Sequence, residues 1–195
     1  MIAEKEAAVP GRAAAPVSLP AIAYYIPLPC AEELQNYKIG VNKIMNEIKV
    51  AENKTLKLTN VLSRLVRPEE LGNLPVILTQ MQNFMKSNGA QPIGPLVQAV
   101  KMGTGPDHVP ELYMMQQATQ MITQMEPGYH MDAVLRVKNC LYAHYTGPMS
   151  HNQLATAKLQ IMAFENDIKL TGDNYTIYVN QDDDDAVIDV FMETK

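Results

Sequence analysis

Leu56-Lys57-Leu58-Thr59-Asn60-Val61-Leu62 and Leu135-Arg136-Val137-Lys138-Asn139-Cys140-Leu141 carry one pattern twice, 79 residues apart. Each runs apolar, basic, apolar, polar, Asn, small, Leu. The match continues downstream. At a separation of 80, Pro68 meets Pro148, Leu74 meets Leu154, Gln80 meets Gln160 and Phe84 meets Phe164. At 78, Gly94 meets Gly172. Such a small drift is what one-residue changes in loop length produce, and the repetition points to one supersecondary unit used twice.

Each copy shows the same order of elements. An alternating strand (56–66, then 134–145) is followed by a turn with Pro and an amphipathic helix (69–87, then 149–167). A turn with Gly leads into a second strand (96–102, then 174–180), a loop (103–110, then 181–186) and a closing strand (111–119, then 187–193). The loop is short enough to be a hairpin, which demands antiparallel pairing. The expected fold is α+β: two pseudo-symmetric β-α-β-β modules, 56–119 and 134–193, with antiparallel sheet.

Before the repeat, Leu34, Tyr37, Val41, Ile44, Ile48 and Ala51 recur at spacings of three and four. That spacing predicts an amphipathic helix over 31–54, which either packs on its own domain or serves as a homodimer helix. Residues 1–30 read as a flexible leader with a short docking segment, Ala21 to Leu28, broken by Pro27 and Pro29.

Composition narrows the function classes. The chain has 195 residues, 47% of them apolar and 19% charged, the profile of a globular protein. Its net charge is −5 and it has no basic run, so direct nucleic-acid contact by this chain is disfavoured. The two cysteines, Cys30 and Cys140, form no CxxC or Cys/His cluster, so neither a structural metal nor any other cofactor is expected. No apolar run reaches the length of a membrane span, no signal peptide is evident, and a reduced, cytoplasmic setting fits best. The Asp182–Asp185 run lacks the Gly and the terminal Glu of a calcium loop and reads as a solvated turn.

The two-module order resembles the GyrI-like, or effector-binding, domain family. Tyr142-Ala143-His144-Tyr145-Thr146-Gly147-Pro148 is similar to the family's strand ending in an aromatic or His followed by x-Gly-Pro. Gly172-Asp173-Asn174-Tyr175-Thr176-Ile177-Tyr178 is similar to its Gly-x-x-Tyr-x-Ile-Tyr strand. Val187 to Met192 resembles its final strand, and Asn88-Gly89 with Gln91-Pro92-Ile93-Gly94-Pro95 its turn in the first half. The resemblance covers about residues 56–193. It implies modules packed about a pseudo-twofold axis with a ligand groove between them. It also implies a role as the small-molecule sensor of bacterial transcription regulators, as a stand-alone multidrug-type binder, or as one of a small set of hydrolases.

Side chains of a strand alternate sides, so one parity must cover the helix. Leu135, Val137, Leu141, Ala143 and Tyr145 suit the helix side, leaving Arg136, Lys138, Cys140, Tyr142 and His144 on the other. Ile188, Val190 and Met192 suit the helix, leaving Val187, Asp189 and Phe191. Leu112 and Met114 do the same, leaving Tyr113, Met115 and Gln117. The ligand-binding candidates are therefore Tyr113, Met115, Tyr142, His144, Asp189 and Phe191, joined by Tyr178 at the end of the family-like strand. Aromatic faces supply contact area and attract cations, and Met adapts to different shapes. Family members that bind cationic drugs place a buried Glu in the groove. The aligned position here is Val187, and Asp189 is the nearest substitute on that face or else a solvated strand residue. His144 is either a general base or a hydrogen-bonded groove residue.

The expected function is binding of a lipophilic or aromatic, possibly cationic, small molecule rather than catalysis. The rivals are a hydrolase of the same fold and a module that masks a partner protein.

Overall fold

The computed structural model describes residues 48–105 and 108–195. The leader, the docking segment and residues 31–47 of the expected helix lie outside the described residues.

Six strands and two helices follow the order β-α-β-β twice. They are β1 (Lys49–Val66), α1 (Leu74–Ser87), β2 (Pro92–Met102), β3 (Pro110–Ala118), β4 (Tyr129–Gly147), α2 (Gln153–Glu165), β5 (Leu170–Asn180) and β6 (Ala186–Thr194). All pairings are antiparallel, and they close a barrel in the order β1-β3-β2-β5-β6-β4. The expected pairing of 96–102 with 111–119 is the β2–β3 hairpin. Each helix is preceded by a 3-10 turn, Pro68–Asn73 and Met149–His151, so the regular helices start later than the periodicity suggested. Pro68 and Pro75 each withhold a backbone donor there, and Gly72 lowers helix propensity between them.

Residues 49–54 correct the expected helix. They are strand, paired along β4 from Lys49 opposite His144 to Lys54 opposite Cys140. Asn53 holds φ +56° within a register shift, which ends any helical continuation and bends β1 there. The apolar spacing at Ile48 and Ala51 therefore reports no dimer helix in this stretch.

Three apolar clusters define inside and outside. One is fed by all six strands: Leu56, Val61, Val97, Ala99, Met115, Val137, Cys140, Tyr175 and Ile177, with Phe191 against them. This is the barrel interior. The second places Ile77, Met81, Phe84 and Met85 of α1 on Leu62, Val66, Met114 and Ala118. In the third, Ala155, Leu159 and Ala163 of α2 lie on Leu141, Ala143, Tyr145, Ile188, Val190 and Met192. The helices thus cover the outside of the barrel.

The two copies of the repeated Asn turn the pleat. Asn60 has φ +49° and Asn139 φ +54°, in the left-handed region that Asn tolerates better than other residues with a Cβ. Across each, the interior position steps by three: Leu58 to Val61 and Val137 to Cys140. Unbroken alternation had assigned Leu135 and Val137 to the helix side. Both face the interior instead, and Arg136 and Lys138 are exposed. Beyond Asn139 the expected parity holds.

Gly172 (φ +102°) is a second backbone requirement, because a Cβ there would meet Met102 Cγ at 2.5 Å. Gly94 is also left-handed, but its nearest contact would be Gln117 Oε1 at 3.4 Å. Gly172→Ala is expected to lower stability by about 1–2 kcal/mol in urea denaturation. Gly94→Ala should cost less. Equal stability of wild type and Gly172→Ala would contradict the clash.

Candidate functional site

The register lines up the interior side chains in rungs. Tyr142 on β4 lies opposite Phe191 on β6, and Phe191 opposite Tyr175 on β5. Tyr175 lies opposite Ala99 on β2, and Ala99 opposite Tyr113 on β3. Neighbouring strands are about 4.8 Å apart, so this aromatic belt spans roughly 19 Å around the inner wall. The next rung runs His144, Asp189, Ile177, Val97, Met115 and Ser63.

At the β4–β6 end the two rungs join in one polar cluster. Tyr142 Oη donates to Asp189 Oδ1 at 2.7 Å, and His144 Nδ1 lies 2.7 Å from the same oxygen. The Tyr142 and Phe191 rings are 4.9 Å apart and tilted. Asp189 and His144 keep 23% and 33% of their side-chain surface, so the cluster is reachable from solvent. Burial, then the hydrogen bond to Asp189 and its charge, push the Tyr142 phenol well above its usual range. Tyr142 is therefore a neutral donor at any physiological pH, and Asp189 Oδ1 accepts the hydrogen bond from its hydroxyl. No Lys or Arg salt-bridges Asp189 among the described residues.

The β2–β3 end differs. Tyr113 Oη donates to Glu111 Oε2 at 2.7 Å. Lys101 Nζ lies 5.3 Å from the centroid of the Tyr113 ring and 6.0 Å from that of Tyr175. These aromatic faces already hold the protein's own cation, so an incoming one finds less to gain there.

Burial, followed by the hydrogen bond and charge of Glu111, raises the Tyr113 phenol from 10.0 to about 12. The unfolded phenol ionises near 10.0 and the folded one near 12, so the folded state holds the extra proton between these values. The stabilisation is complete below pH 10 and is lost as pH rises through about 12. Denaturation at about pH 9 and 11.5 should therefore show a smaller alkaline loss for Tyr113→Phe than for wild type. An identical loss in both would rule out this contribution.

Six of the seven expected site residues share the inner face: Tyr113, Met115, Tyr142, His144, Asp189 and Phe191. Tyr178 does not. It lies opposite Ile188 and packs in the α2-side cluster, with its hydroxyl donating to Gln98 Oε1 at 2.9 Å. The last Tyr of the motif thus points away from the belt, because β5 alternates from Tyr175 inward to Tyr178 outward. Sequence reasoning missed Tyr175, which is buried between Phe191 and Ala99. Its alternation with Thr176 and Ile177 was the available signal. Ser63 was also missed. Its Oγ is buried on the inner face with no hydrogen-bond partner among the described residues.

Among the described residues, no helix is long and apolar enough to cross a membrane. No family model matches the sequence, and no curated protein matches it. Solved structures do. The C-terminal domain of EcmrR matches with TM-score 0.54 and 13% identity, over 78% of this chain and 99% of that one. EcmrR in a cryo-EM complex with DNA matches with TM-score 0.55 and 15% identity over 84% of this chain. This chain spans 62% of the length of that EcmrR chain. A hydrolase encoded by lin2189 from Listeria innocua matches at TM-score 0.46 and 8% identity, over 83% of this chain and 98% of that one, too slight a likeness to argue from. At these identities the comparison shows the fold alone: an α+β antiparallel barrel with two helices, similar to the EcmrR C-terminal domain.

Proposed function

We propose that this chain binds a small aromatic or lipophilic molecule on the inner wall of the barrel, with cations preferred at the Tyr142–Phe191–Asp189 end. It does so as the sensor domain of a transcription regulator or as a stand-alone binder of the GyrI-like kind, in the cytoplasm. The two β-α-β-β halves are then related by an approximate twofold axis, with the ligand between them. One observation carries this reading. A partly buried aromatic pair flanks a carboxylate that no Lys or Arg salt-bridges among the described residues. The rings supply stacking area, and Asp189 supplies the charge that selects a cation. The similar fold in EcmrR, a protein seen on DNA, supports the regulatory setting.

Rhodamine 6G, a planar cation, and Nile red, an uncharged aromatic, test the charge. Asp189→Asn is expected to weaken rhodamine 6G about 5- to 30-fold, the equivalent of roughly 1–2 kcal/mol. Nile red affinity should change less than about twofold. Parallel losses for both dyes would show that Asp189 acts through packing rather than charge.

The Asp189–His144 contact favours a second reading. A carboxylate on Nδ1 orients the ring and leaves Nε2, which has no hydrogen-bond partner among the described residues, as the acceptor. That is the arrangement of a general base for hydrolysis of a bound electrophile. Hydrolysis of an aromatic ester that is abolished by His144→Asn, with dye affinity retained, would establish it. Equal rates in both proteins would end it.

A further inference from the structure

The second helix is apolar on both faces. Its inner face, Ala155, Leu159 and Ala163, covers the sheet. Its outer face carries Leu154, Ala157, Ile161 and Phe164 at spacings of three, four and three. Leu154 is 48% exposed, Ile161 58% and Phe164 87%. A shallow open depression of about 500 Å³ lies along this face, lined by Ala157, Gln160, Ile161, Phe164 and Glu165. Gln153, Lys158 and Gln160 are also exposed on this helix, but an apolar stripe of this length on a helix face is normally covered.

We propose that a second copy of this chain covers it, α2 packing antiparallel on α2 about a twofold axis. The stripe is self-complementary under reversal. Antiparallel pairing about its midpoint sets Leu154 of one copy against Phe164 of the other, and Ala157 against Ile161. A small residue then faces a large one at the centre, which lets the two backbones approach closely. Two-fold interfaces require such a patch, since the same surface serves both partners.

Charge points the same way. Glu165 is the last residue of α2, where its carboxylate opposes the helix dipole of its own helix. In the antiparallel pair it reaches the N-terminal end of the other copy's α2, at Gln153, where a negative charge is favourable. Size sets the strength. The exposed stripe is four side chains of one short helix, far fewer than the roughly 20–30 residues a side with which stable dimers bury about 800 Å² per partner. The association is therefore weak and reversible, monomeric at low micromolar concentration and dimeric at several hundred micromolar.

Sedimentation velocity of the full chain from about 5 to 500 µM tests it. Wild type should shift from monomer to dimer across this range, and Phe164→Glu should raise the dissociation constant at least about tenfold. Phe164 is too exposed for that change to threaten the fold. Ala157→Leu, which removes the central small residue, should weaken the dimer about threefold or more. A monomer at every concentration would overturn the proposal. So would a dimer that Phe164→Glu leaves unchanged, which would place the contact on another surface.

Discussion

Asn139→Val is expected to lower the free energy of unfolding by about 2–3 kcal/mol, and Asn139→Gly to leave it within about 0.5 kcal/mol of wild type. The side chain is exposed, so little packing is lost in either case. What differs is the backbone. Asn139 holds φ +54°, which Gly adopts freely, Asn tolerates and a β-branched residue resists. If Val forces the residue back to extended geometry, every side chain on one flank of β4 turns over. Val137 would then leave the interior, or Cys140 and Tyr142 would. Asn60→Val in β1 should behave alike, since Asn60 holds φ +49° in the other copy of the pattern. Urea denaturation measures both. Val and Gly variants of equal stability would contradict the role given to the left-handed residue.

The same two asparagines show what was legible in the sequence and what was not. Their recurrence identified the repeat, and with it the element order and the antiparallel hairpins. Their conformation could not be read from an alternating pattern, because alternation assumes that every residue is extended. The parity of Leu135 and Val137 was therefore lost, while that of Leu141, Ala143 and Tyr145, on the far side of the turn-over, was kept. Closure of the barrel was equally hidden. It depends on β1 meeting β4 and β2 meeting β5, contacts between the halves that no local pattern encodes. Residues 49–54 show the opposite failure. A helical spacing at Ile48 and Ala51 was overridden by pairing with β4.

The candidate site was legible where parity sufficed. Tyr142, His144, Asp189 and Phe191 follow from β6 and from the part of β4 beyond Asn139, where the apolar residues keep one parity. Their convergence on one carboxylate oxygen was not legible, because it needs the β4–β6 register that puts His144 opposite Asp189. Tyr178 was drawn in by its place in a family-like motif, and strand alternation removes it.

That removal makes the sharpest test of the account. Tyr142 and Tyr178 are both half-buried phenols on strands that flank β6, and each donates one side-chain hydrogen bond. They differ in the side of the barrel wall they occupy. Tyr142→Ala is expected to weaken rhodamine 6G binding about 10- to 30-fold, since it removes a ring face and a hydrogen bond that holds Asp189 in place. Tyr113→Ala should weaken it about two- to fivefold, because Lys101 already sits against that ring. Tyr178→Ala should stay within about twofold of wild type. Circular dichroism of each variant checks that the fold is retained. The decisive measurement is a fluorescence anisotropy titration of rhodamine 6G against wild type, Tyr142→Ala and Tyr178→Ala. Ligand binding on the inner wall predicts a large loss for Tyr142→Ala alone. Equal affinity in all three, or a loss confined to Tyr178→Ala, would contradict it.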